Sequence, residues 1–137
     1  MEERISAHGH EHVSADHAST FEVTTDDFLT PAGDCILAIE ADRAPADFAP
    51  KFVDACQDAD ATITAMVEVD GMSQSVTGSG HPDLSFQSER SAVIRASDHV
   101  DERTVTVNAD HGAIGIDDEL VDALAAGAEL TLTLAVE

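Results

Sequence analysis

The chain has 137 residues, 43% of them hydrophobic and 25% charged, which is the composition of a globular domain rather than a disordered chain. It carries 28 acidic and 6 basic side chains, a net charge of −22, which excludes the polybasic surface of an ordinary nucleic-acid or anionic-membrane binder. No apolar run approaches the ~20 residues of a membrane span, and the His-rich start, Met1 to His12, has no signal-peptide core. A cytoplasmic protein without a membrane segment is expected.

Taken in chain order, residues 4–13 and 17–25 alternate loosely and predict strands, with a polar break at Thr24-Thr25-Asp26-Asp27. Thr30-Pro31-Ala32-Gly33-Asp34 predicts a turn, and Cys35 to Ile39 a short buried strand. Pro50 suits the first turn of a helix whose apolar face is Phe52, Val53 and Cys56. Thr62 to Val69 and Ser73 to Thr77 read as a hairpin around Asp70-Gly71. Further strands are predicted at Leu84 to Gln87, Ala92 to Ala96 and Thr104 to Val107. Asp117 is placed as the N-cap of a helix through Leu124 that Gly127 closes, and Leu130 to Val136 is the last strand.

The order of elements repeats. Ala41-Asp42 returns as Ala109-Asp110, and Val53-Asp54-Ala55 as Val121-Asp122-Ala123, both 68 positions on. Gly9-His10 returns as Gly80-His81, 71 positions on, and Thr62-Ile63-Thr64 as Thr131-Leu132-Thr133, 69 on. A three-residue deletion opposite Thr30-Pro31-Ala32-Gly33 accounts for the drift from 71 to 68. We therefore expect one domain of two pseudo-repeated halves, about 5–69 and 76–137, each strand-strand-strand-helix-strand. Half a chain, under ~70 residues, buries too little on its own, so the halves should pack as one unit. Eight strands and two short helices imply a mainly β, jelly-roll-like sandwich or barrel.

Aspartate outnumbers glutamate, 17 to 11, and lysine occurs once, at Lys51. Short carboxylates with few cationic stems suit a hydrated surface in concentrated salt, where the Debye length falls to ~3 Å at 1 M and self-repulsion is screened. Cys35 and Cys56 are expected as reduced thiols, Cys56 in the core. On a strand through residue 13, His8, His10 and His12 would share one face, with His17 returning beside them, a weak pattern for a divalent transition metal. If Gly9-His10 and Gly80-His81 lay near a dyad, two imidazoles would meet there, each behind a glycine that admits close backbone approach. Asp34, at the mouth of a buried strand, needs a partner, for which Arg95 or Arg103 is available.

Several of these residues carry a resemblance. Gly9-His10, Ala15, His17, Thr20, Glu22-Val23-Thr24, Leu29-Thr30, Gly33-Asp34-Cys35-Ile36 and Ala41-Asp42 resemble the archaeal family called domain of unknown function 371. Pro50, Arg95 with Ser97-Asp98, and Arg103-Thr104 fit the same pattern, which runs from about residue 5 to the C-terminus. The resemblance implies a jelly-roll-like sandwich and no assigned activity. His8 and His12 stand outside the pattern, and His81 falls where variation is expected. The candidate site is therefore His10, His17, Thr30, Asp34, Cys35, Arg95 and Arg103, with His10 and His17 as metal ligands or acid–base groups and the arginines for an anionic group. Two readings follow: a small-molecule, anion or metal binder with a polar site between its halves, or a non-catalytic interaction module or homo-oligomer. No nucleic-acid motif is visible, and the residues leave open whether it is an enzyme.

Overall fold

The computed structural model describes all residues, Met1–Glu137. Two four-stranded sheets face each other across one core. The strands are β1 (Glu2–His8), β2 (Thr20–Thr24), β3 (Ile36–Ala38), β4 (Thr62–Val69), β5 (Met72–Ser79), β6 (Ser91–Arg95), β7 (Thr104–Thr106) and β8 (Glu129–Val136). Two helices, α1 (Pro50–Cys56) and α2 (Asp118–Ala125), each follow a 3₁₀ turn, Pro45–Asp47 and Ala113–Gly115. The first sheet has the order β1-β8-β4-β5 and is antiparallel throughout. The second has the order β3-β2-β6-β7, antiparallel at β2–β6 and parallel at both edges. The sheets form a sandwich and do not close as a barrel. One isolated bridge joins them along each edge, His8 to Ile39 and Ser79 to Val107.

The first sheet follows its binary pattern. Ile63, Ala65, Val67 and Val69 of β4 point into the core, and Leu130, Leu132, Leu134 and Val136 of β8 oppose them. The Asp70-Gly71 hairpin forms as expected, with both residues at positive φ, 51° and 79°. In the second sheet every residue of β2, β6 and β7 is buried, on both faces. Its outward Thr20, Glu22, Thr24, Arg95 and Thr104 must therefore bond to one another and to the loops.

The backbone bonds recur in pairs. His17 N–H and Ser88 N–H donate to the carbonyls of Asp34 and Glu102, and Glu22 N–H and Val93 N–H to those of Cys35 and Arg103. Gly9 N–H and Gly80 N–H donate to the carbonyls of Ala128 and Ala61. The last pair sets Ala61 against Ala128, an offset of 67, whereas the Thr62-Ile63-Thr64 likeness in the sequence runs at 69, two residues away. A two-residue slip keeps every side chain on its face, so the sequence pattern tolerates it. Strands alternate between the halves in the first sheet, since β1 pairs with β8 and β5 with β4.

Three expected strands are absent or shorter by more than one residue at an end. The first ends at His8, because Gly9 passes beneath the end of α2, where a Cβ would run into the Leu124 carbonyl, and Val13 N–H then closes a turn on His10. The second starts at Thr20 rather than residue 17. Leu84 to Gln87 is a loop: Leu84 N–H turns back to His81, and Phe86 has φ 53°, which no strand continues. Leu84 and Phe86 are apolar there because they cap the core, not because they alternate.

Candidate functional site

The richest polar constellation lies on the outer side of the second sheet. Arg95, at the end of β6, is nearly buried; its Nε donates to Thr104 Oγ1 at 2.8 Å and its Nη2 to Asp101 Oδ2 at 2.9 Å. Asp101 closes the turn into β7. Its Oδ1 accepts the Arg103 N–H at 2.9 Å and the Thr104 hydroxyl at 3.1 Å. Burial opposes the charge on Asp101, but the Arg103 N–H, the Arg95 guanidinium and the Arg103 and Thr104 side chains outweigh it and hold its pKa at about 2. Arg103 Nη2 also reaches Asp101, at 3.2 Å. Its Nη1 lies 3.8 Å from Glu22 Oε1, an ion-pair contact beyond hydrogen-bond length.

Glu22 stands at the middle of β2, opposite Val93. Its side chain is 11% exposed, and the Cys35 thiol points to Oε1 at 3.9 Å. Burial, and then the Glu22 carboxylate, push the Cys35 thiol above its usual pKa, so it stays protonated and is a poor nucleophile at neutral pH. The Thr20 side chain adjoins the same thiol, and its hydroxyl lies 3.1 Å from His17 Nδ1, which also accepts the N–H groups of Ser19 and Thr20. With Nδ1 occupied, only Nε2 of His17 is open. His99 adds a peripheral imidazole 3.9 Å from Asp101. Arg90, paired with Asp26 through three contacts of 2.6–3.0 Å, lies within electrostatic reach of Glu22.

The structure thus joins four expected residues, His17, Cys35, Arg95 and Arg103, in one side-chain chain, and leaves three apart. His10 closes its own turn, Nδ1 accepting the His12 N–H at 3.0 Å, and His81 does the same for Asp83 at 3.0 Å. No contact joins the two imidazoles; their glycines make room for the ends of the two helices. Thr30 is exposed, and the half-buried Asp34 side chain pairs with neither arginine; Asp101 and Glu22 hold those places. His8 is bound to Glu40 at 3.0 Å, and His12, past the strand's end, is exposed, so His8, His10 and His12 do not line one strand face. No three His, Cys, Asp or Glu side chains are grouped closely enough to hold a metal ion. Sequence reasoning missed Glu22, Asp101 and Thr104. Asp101 had a signal in its spacing two residues before Arg103, the geometry of an Asx turn.

A single cavity, 240 Å³ and shallow, lies elsewhere, at the β1 edge between His8, Glu40 and Glu129. The backbone carbonyl of Gly9, and then Glu40, raise the pKa of His8 there.

The family described as a domain of unknown function, DUF371, matches residues 5–137. The chain belongs to the DUF371 family. An uncharacterised protein of the archaeon Methanocaldococcus jannaschii is 39% identical over 136 residues, covering 99% of this chain and all of that protein. Within this DUF371 chain no helix is long and apolar enough to cross a membrane.

Proposed function

We propose that this protein is a cytoplasmic small-anion binder whose ligand, a carboxylate or phosphate group, docks on Arg103 at the outer side of the second sheet. The observation that carries the reading is the state of Arg103. Its side chain is 44% exposed and anchored through Nη2, while Nε and Nη1 make no hydrogen bond. An anchored guanidinium with open donors is preorganised for a bidentate anion. Arg95 and Arg103, two of the six basic residues, meet here in a chain of net charge −22. His17 Nε2, Thr20 and Cys35 form the polar rim. Two further inferences support this setting. The acidity fits a salt-filled cell, and the paired backbone bonds fit descent of both halves from one duplicated unit.

The test is a titration with inorganic phosphate and with succinate, in molar KCl, followed by amide chemical shifts. Saturable shifts at Arg103, Cys35 and Thr20, lost in Arg103→Gln and kept in Lys51→Gln, are expected. No saturable shift with either anion overturns the reading. Circular dichroism tests the salt adaptation: structure should be lost in dilute buffer and restored by molar KCl, and a full native signal without salt overturns it.

A further inference from the structure

The first sheet has two edge strands, and the chain protects only one. Along β1, the backbone groups that face outward belong to Glu2, Arg4, Ser6 and His8. His8 is bridged to Ile39, Ser6 exchanges bonds with Asp42, and the Arg4 carbonyl accepts Arg43 Nη1 at 2.9 Å. Glu2, Glu3 and Arg4 add charge, the usual guard against strand addition. On β5 the corresponding positions are Ser73, Ser75, Thr77 and Ser79. Ser79 is bridged to Val107 and Thr77 exchanges bonds with Asp110. There the protection stops. His111 stands where Arg43 stands in the other half and turns to Gln74 and its own neighbour Gly112. The N–H and C=O of Ser73 and Ser75 point outward with no partner in the chain, both residues are exposed, and β5 has no charged side chain.

We propose that β5 is the contact strand of a homodimer, in which a second copy lays its own β5 antiparallel against Ser73–Ser75. The free groups are self-complementary about a twofold axis at Gln74. Ser73 faces the partner's Ser75, and Ser75 the partner's Ser73, so two N–H and two C=O groups per chain are all satisfied. The two four-stranded sheets then become one of eight strands. Charge selects the occupant's site. Two copies at −22 each repel across most of their surfaces, whereas β5 brings no charge to the seam. Gln74 keeps the strand in place, its amide donating to the Gly115 carbonyl at 2.7 Å and accepting the Asp117 N–H at 2.8 Å. The paired stretch is short, ~10 Å, so dissociation in roughly the micromolar to millimolar range is expected, tightening with salt.

Light scattering across a concentration series in molar KCl tests this. The mass should climb from 14.4 kDa toward twice that value, and the Ser73 and Ser75 amides should gain exchange protection as it does. Ser75→Pro removes an N–H that no bond inside the sheet uses, so the thermal melt should stay put while the dimer disappears. Ser73→Asp/Ser75→Asp, at two exposed positions of the monomer, should do the same by repulsion. A wild-type chain that stays monomeric to millimolar concentration, or a dimer that survives both variants, overturns the proposal.

Discussion

Phe48, Phe52 and Phe86 close one end of the sandwich, with ring centroids 5.6–6.1 Å apart; Ile116, Leu120 and Ala15 occupy the corresponding places at the other. The backbone beneath them is the same. Phe86 and Ala15 both sit at φ 53°, as do Glu40 and Asn108. One end is filled by aromatic edges, the other by aliphatic volume. The polar positions differ more. The Arg95, Asp101, Arg103 and Thr104 cluster corresponds to Thr24, Gly33, Cys35 and Ile36 in the first half, and the His8–Glu40 clip corresponds to Ser79 and Asn108. A shared hydrogen-bond scaffold therefore fixes where side chains go and leaves open what they do.

The comparison breaks most sharply at the paired glycines. Gly9→Ala and Gly80→Ala each drive a Cβ into a helix-end carbonyl, of Leu124 and Cys56. Each should cost about 4 kcal/mol or leave the chain unfolded, whereas Gly71→Ala, in open space at φ 79°, should cost about 1 kcal/mol, all read by denaturant melts in molar KCl. If Gly9→Ala were as mild as Gly71→Ala, the helix ends would not press on the strands as described. Next come the two ends. Phe52→Ala should cost about 4 kcal/mol and Leu120→Ala about 3 kcal/mol, because the aromatic end leaves the larger cavity. Equal losses would mean that the aromatic end collapses to fill its void.

Asp101 is the third test. Its pKa is held at about 2 in the folded chain, below its ordinary value of 3.8, so its contribution is present above about pH 4 and is lost as the pH falls toward 2. With its side chain 30% exposed, this amounts to about 1–2 kcal/mol. Arg95→Met should lift that pKa and shrink this component of acid unfolding, leaving the part supplied by the Arg103 N–H and side chain and by Thr104, while Thr24→Val, at the corresponding place, should leave the Asp101 pKa unchanged. The smallest effect is at the β1 edge, where His8 meets Glu40. His8 has a pKa raised by the Gly9 carbonyl and then by Glu40, so these contacts stabilise fully below its unfolded pKa of 6.5 and fade as the pH rises through the folded value. Glu40→Asn places at φ 53° the residue the other half already uses. It should gain up to about 1 kcal/mol near pH 9, and the gain should shrink or reverse near pH 5.5.

Much of the scaffold was legible because it is local. Alternation placed β4 and β8, Asp70-Gly71 placed the turn from β4 into β5, Pro50 opened α1 and Gly127, at φ 91°, closed α2. Asp117 marked the start of α2 without its carboxylate making the capping bond. Apolar residues at Leu84 and Phe86 misled, since burial beneath a loop leaves the same signature as a strand. The site was half legible. Arginine and cysteine stand out in an acidic chain, but Glu22 and Asp101 are two acids among 28.

By itself the sequence determined the class of fold, the repeated order of its elements, the membership of the family and the charge of the surface, because periodicity, turn residues and composition act over a few positions. Only the tertiary structure decided that β1 crosses to pair with β8 of the other half, that Asp101 rather than Asp34 holds Arg95, and that His10 and His81 close turns rather than face each other. Those outcomes depend on which distant backbone groups meet, and on a register that a two-residue slip leaves invisible in the pattern of side chains.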